Sequence, residues 1–133
     1  MGTLDFGTIT LAAIAFFAVG MVWYGLLFGK VWQRAAGLTD EEIRKGLPMW
    51  AVFGLCFAFE LLIALTLAHQ FAMTGPSDRA IMMIAIGFGS MIMTPAIGIV
   101  YLFQRKSGLL FAIDAGHFIA GMAAMGAVFA AFN

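Results

Sequence analysis

The stretch MWAVFGLCFAFELLIALTLAHQFAM, residues 49–73, is nearly unbroken hydrocarbon, with one carboxyl, Glu60, at its middle and one imidazole, His69, toward its end. A helix of about 20 apolar residues crosses the roughly 30 Å hydrocarbon core of a bilayer. Inside lipid every backbone N–H and C=O must find its partner within the segment, so a run of this kind spans as a helix and not as an open strand. Three further runs reach the same length: 9–29, 80–103 and 108–133. The first has no basic residue before Lys30 and is too long for the apolar core of a signal peptide, so it is expected to remain as a helix. The chain is therefore read as all-α, an integral membrane four-helix bundle running up-down-up-down. Its helices are expected over about 9–29, 49–73, 80–103 and 108–132, in a single transmembrane domain over 1–133.

Composition agrees. Hydrophobic residues make up 63% of the 133 and charged residues 11%, about half the charged share of a soluble domain. The net charge of zero leaves no basic field for nucleic acid, which is set aside as a partner. A single cysteine, Cys56, excludes an internal disulfide and is read as a buried packing thiol.

Between the first two runs, residues 30–48 carry a helix-start signal. Thr39 as N-cap with Glu42 three residues on forms a capping box, and Leu38 with Ile43 occupies the staple positions. A short interfacial helix over 39–45 follows, ended by Gly46, with Pro48 opening the next helix. Thr74-Gly75-Pro76-Ser77-Asp78 is a turn cluster, and 104–107 is a tight polar turn. Loops one and three hold Lys30, Arg34, Arg44, Lys45, Arg105 and Lys106, while loop two holds only Arg79. Because cytoplasmic loops carry the Lys/Arg excess, both termini are expected outside, with loops one and three in the cytoplasm.

That orientation gives depths. At about 1.5 Å per residue from the cytoplasmic ends, Glu60 lies about 16 Å deep, His117 and Thr94 about 13 Å, Asp114 and Trp23 about 9 Å, and Tyr24 about 8 Å. All four helices thus bring a polar or irregular feature to one layer of the inner half of the membrane. Ionisable residues in such a layer mark functional sites by default. Asp114 and His117, three apart, share a face and can meet each other or one ligand; Glu60 shares its face with Cys56, Phe57, Ala64 and Leu67. His69 points to the other side. On the third helix Pro95 frees the carbonyl of Met91, next to the Thr94 hydroxyl.

Two readings of this cluster stay open. It is a ligand site built from Glu60, Asp114, His117, Trp23, Tyr24 and Thr94, or a structural network in which Arg105, Lys106 or Lys30 reaches Asp114. Glu60, Asp114 and His117 are also the weak candidates for a metal, although no motif such as HExxH is present. No cofactor follows from the sequence. Ala112, Gly116, Ala120 and Ala124 on the fourth helix, and Gly25 and Gly29 on the first, are small residues at close-packing spacing. With so little interior, a homodimer or a place in a larger membrane complex is expected.

The run Trp23-Tyr24-Gly25-Leu26-Leu27-Phe28-Gly29-Lys30-Val31-Trp32, with Gly37-Leu38-Thr39, Tyr101-Leu102-Phe103 and Ile113-Asp114-Ala115-Gly116-His117, resembles a widespread bacterial family of small four-helix membrane proteins. That family is catalogued only as a domain of unknown function. The resemblance spans essentially the whole chain, WYGxLFGKxW being its most specific part. It implies the fold and a bacterial inner-membrane location, and it brings no activity, substrate or catalytic residues. Three function classes follow: binding or conversion of a lipid-like small molecule; an accessory or assembly subunit; and a dimeric proton- or metal-coupled transporter with Glu60 as carrier.

Overall fold

A computed structural model describes residues 4–133, and among these residues the secondary structure is entirely helical. Helix α1 (Phe6–Met21) runs into a π-helical segment, Val22–Leu27, and is followed by α2 (Gly29–Ala36) and α3 (Asp40–Lys45). Then come α4 (Met49–Thr74), α5 (Asp78–Phe88), a second π segment at Gly89–Met93, α6 (Thr94–Phe103) and α7 (Gly108–Ala131). Among the described residues, four continuous helical stretches are long and apolar enough to cross a membrane: Phe6–Leu27, Met49–Thr74, Asp78–Phe103 and Gly108–Ala131.

Local chemistry sets the ends. Asp5 caps α1, accepting from the Gly7 and Thr8 amides and from the Thr8 hydroxyl at 2.7 Å; these bonds hold its carboxyl below the usual range. Because such a cap is made by polar side chains, α1 begins before the apolar run that predicts 9–29. The capping box at Thr39 is present, Thr39 Oγ1 accepting from the Glu42 amide at 3.1 Å. Ser77 and Ser107 cap α5 and α7, which is why the third helix starts at Asp78 and not at 80.

Helix α2 corrects the sequence reading, which leaves 30–38 as loop. Its residues, GKVWQRAA, are too short and polar to register as a span, but Gly37 closes the helix in the left-handed conformation at φ 72°, with the Leu38 amide returning to the Gln33 carbonyl at 3.1 Å. That is a Schellman closure. The Pro95 kink also takes a definite form. The proline lacks an N–H, and the preceding turn widens to π geometry over Gly89–Met93, where the Thr94 hydroxyl donates to the Gly89 carbonyl at 2.8 Å.

Helix α7 is the axis of the molecule, packing against α1 on one side and α5 on the other. Phe16, Leu67, Ile81, Met122 and Met125 are the largest fully buried side chains. The close approaches are made by Gly116 beneath Trp23, Gly121 beneath Phe16 and Gly126 beneath Ala85; a Cβ at Gly121 or Gly126 would lie 2.7 Å from the opposing carbon. Glycine is required there because the neighbouring backbone or ring occupies the space. Of the expected small residues, Gly116 plays this part between helices; a Cβ at Gly29 would meet the Tyr24 carbonyl oxygen of its own turn at 2.1 Å, Ala112 is exposed, and a Cβ at Gly25 would meet nothing within 4 Å. Phe16 opposes Gly121, Gly20 opposes His117 and Trp23 opposes Gly116, so α1 and α7 run in opposite directions.

Candidate functional site

Glu60 sits at the middle of α4, 8% exposed, with Ala64 and Leu67 buried on the same face. His117, on α7, is also 8% exposed, wedged between the rings of Phe16, Tyr24 and Phe118 at centroid separations of 5.4, 4.9 and 4.9 Å. Its Nε2 faces Gly20 so closely that a Cβ there would approach to 3.0 Å. Both residues line one cavity of about 310 Å³ between α1, its π segment and α4, whose other walls are Phe17, Gly20, Met21, Tyr24, Gly25, Met49, Phe53 and Cys56. Glu60 Oε1 and both ring nitrogens of His117 are buried and have no hydrogen-bond partner among the described residues. A buried polar atom left unmet costs roughly 1–3 kcal/mol. The two residues that carry these three atoms line one cavity.

Asp114, 7% exposed, is satisfied differently. The Tyr24 hydroxyl donates to Oδ1 at 2.5 Å, and the Tyr101 hydroxyl donates to Oδ2. One carboxyl therefore ties the first, third and fourth spans together. Directly before it along α7, the Ile113 carbonyl accepts from Trp23 Nε1 at 2.9 Å. Trp23 and Tyr24 are consecutive, and their two acceptors, Ile113 and Asp114, are consecutive too. The π segment, closed by the Phe28 amide on the Trp23 carbonyl at 2.8 Å, carries both side chains to α7.

The six residues singled out from the sequence thus divide. Glu60, His117 and Tyr24 meet at the cavity, with Asp114 behind Tyr24. Trp23 instead packs over Gly116, and the Thr94 hydroxyl is taken up by Gly89; neither lines the cavity. Asp114 and His117, whose spacing lets them meet each other or one ligand, make no hydrogen bond to each other; the phenols of other helices take both carboxylate oxygens. The basic residues that the structural reading brings to Asp114 do not reach it: Lys30, Arg105 and Lys106 are exposed, and the ion pair found among the described residues is Lys45–Glu41, at 3.4 Å on the surface. Nor do Glu60, Asp114 and His117 come together as metal ligands: among the described residues no three His, Cys, Asp or Glu side chains cluster closely enough to hold an ion. Cys56, expected as a buried packing thiol, is exposed at the cavity. His69 is exposed on the far face, as its position nine residues from Glu60 predicts.

Tyr101 is the residue the sequence reading passes over. An aromatic at the end of a span reads as an interfacial anchor, yet its depth is within a phenol's reach of Asp114, and that coincidence is the signal for it. A larger depression of about 420 Å³ lies at the opposite end, among Asp5, Thr8, Phe71, Pro76 and Phe129. Its polar groups are engaged: the Asn133 amide donates to Asp78 at 2.8 Å and Asp5 caps α1. The residues with unmet groups, Glu60 and His117, line the smaller cavity.

Four such apolar helices, in a fold that is all-helical among the described residues, are compatible with a multi-pass membrane protein. The chain belongs to the family described as Protein of unknown function (DUF1761), which matches residues 8–130. No curated protein and no solved structure matches it.

Proposed function

We propose that the protein binds a lipid-like small molecule at the Glu60–His117 cavity, in the cytoplasmic half of an up-down-up-down four-helix bundle forming one transmembrane domain. The observation that carries this reading is that the two residues with unpartnered buried polar atoms, Glu60 and His117, line one and the same otherwise apolar cavity. Small-molecule sites have this composition: apolar walls with a few polar groups that fix orientation. A structural network would leave no such remainder, and Asp114, fully matched by two phenols, is the contrast within the same layer.

The test is extraction of a co-purifying molecule. After purification in lipid nanodiscs, organic extracts of the wild type and of His69→Ala are expected to contain the same small apolar compound. It falls severalfold in His117→Leu and in Glu60→Leu; equal amounts from all four proteins would overturn the reading.

Orientation in the membrane rests on the six basic residues of loops one and three against Arg79 alone in loop two. A reporter fused after Asn133 is expected to lie outside the cytoplasm, and cytoplasmic activity of that fusion would reverse the assignment.

A further inference from the structure

We infer that the molecule held at this cavity is a neutral, oxygen-bearing ring on an apolar tail, of the quinone and phenol class; the inference rests on the cavity being a ligand site. Three features of the wall lead to it.

The first is the surface presented. Phe17, Phe53 and Tyr24 supply three aromatic rings, with Phe17 and Phe53 edge-on to each other at 5.9 Å, and Met21 and Met49 supply thioethers. Aromatic edges and polarisable sulfur match a planar π-system better than a flexible acyl chain.

The second is charge. Among the described residues no Lys or Arg lines the cavity, so a phosphate or sulfate head would be stripped of water with no cation to meet it. A fatty-acid carboxylate would lie against Glu60. The free groups are a carboxyl and an imidazole, and a neutral imidazole offers one donor and one acceptor. Carbonyl and hydroxyl oxygens on a neutral ring complement that set; Tyr24 is committed to Asp114 and does not compete.

The third is shape. A volume of about 310 Å³ is at the small end of ligand sites, enough for a ring but not for a long tail. Met21, Met49 and Phe53 on its wall are 46, 52 and 37% exposed, so the cavity opens sideways between the first and second spans. The ring enters there and the tail stays in the lipid.

Cys56, the single cysteine, lines the cavity and reports its occupancy. The full-length protein in phospholipid liposomes is treated with a membrane-permeant maleimide, alone and with one of three probes. These are a decyl benzoquinone substituted at every ring carbon, a decyl phenol, and palmitate. The quinone and the phenol are expected to slow labelling roughly tenfold at about tenfold excess over their dissociation constants, since only unoccupied sites react. Palmitate is expected to leave the rate unchanged.

Protection is expected to persist in Glu60→Gln, which keeps hydrogen-bonding capacity, and to vanish in Glu60→Leu and in His117→Leu; His117→Gln repeats the comparison with a polar side chain should the leucine variant fail to fold. In Cys56→Ser carrying Leu62→Cys, at a position of α4 that is 59% exposed and not on the cavity wall, the quinone is expected to have no effect. Equal slowing there would overturn the inference as a bulk membrane effect. Protection by palmitate as strong as by the ring probes would overturn the ring class while leaving the site. Protection by none of the three would overturn both.

Discussion

Asp114→Ala is expected to destabilise the folded protein by about 2–4 kcal/mol, the loss of two hydrogen bonds to a buried carboxyl together with two stranded phenols. Ordinary interhelical hydrogen bonds in membranes average only about 0.6 kcal/mol, so the size of the effect decides whether this carboxyl is a lock or an incidental contact. The bonds come from Tyr24 on the π segment and Tyr101 on α6, one to each oxygen. Their symmetry predicts non-additivity. Tyr24→Phe or Tyr101→Phe alone leaves Asp114 one partner and is expected to cost about 1 kcal/mol. Both together leave a buried acid with none, and the cost is expected to rise to about 3–5 kcal/mol. Adding Asp114→Ala to that double variant removes the last polar group and is expected to recover most of the loss, because replacing all partners by apolar groups is nearly neutral. Unfolding in mixed micelles of increasing denaturing detergent, followed by tryptophan emission, measures the set. Strict additivity of the two phenylalanine variants would show that Asp114 has other partners.

Gly121→Leu is the second large effect, expected at about 3 kcal/mol or more. A Cβ at Gly121 would stand 2.7 Å from the Phe16 ring, which is wholly buried and has nowhere to turn. Overpacking of this kind costs about 1–3 kcal/mol even for added methylenes, and here a whole side chain enters the contact between α1 and α7. Gly54→Leu, at a position where a Cβ meets nothing within 4 Å, is expected to change stability by less than about 0.5 kcal/mol. Combining Gly121→Leu with Phe16→Ala exchanges one bulk for another across the same gap and is expected to restore part of the loss. A Gly121→Leu variant as stable as Gly54→Leu in the same detergent titration would mean that α1 and α7 do not approach there.

How much of this was legible in the sequence follows from which interactions are local. The four apolar runs and the Thr39–Glu42 capping box depend on neighbours along the chain, and both are found where the pattern puts them. The π segments are not readable in that way. Val22–Leu27 is an apolar stretch with no proline, and its widened turn goes with two bonds to α7, ninety residues on. Helix α2 escaped because an eight-residue amphipathic piece makes no span and its closure rests on the backbone of Gly37.

The polar cluster follows the same division. Depth arithmetic brought Glu60, His117 and Tyr24 to one layer, and they meet at one cavity. Spacing along α7 lets Asp114 and His117 meet each other or one ligand, but the donors to Asp114 come from other helices. A carboxyl with two phenols has no need of the imidazole, and that is why His117 is left free to face the cavity. Thr94, placed by depth alone, lacked the facing information that depth cannot give.

The central claim is that the cavity bounded by Tyr24, Cys56, Glu60 and His117 is a ligand site. An experimental structure determined from native membranes without delipidation tests it most directly. Non-protein density within hydrogen-bonding distance of Glu60 and His117, continuing between the first and second spans toward the lipid, is the result predicted. A closed cavity in which Glu60 and His117 bond to each other, or to side chains of this chain, would contradict it.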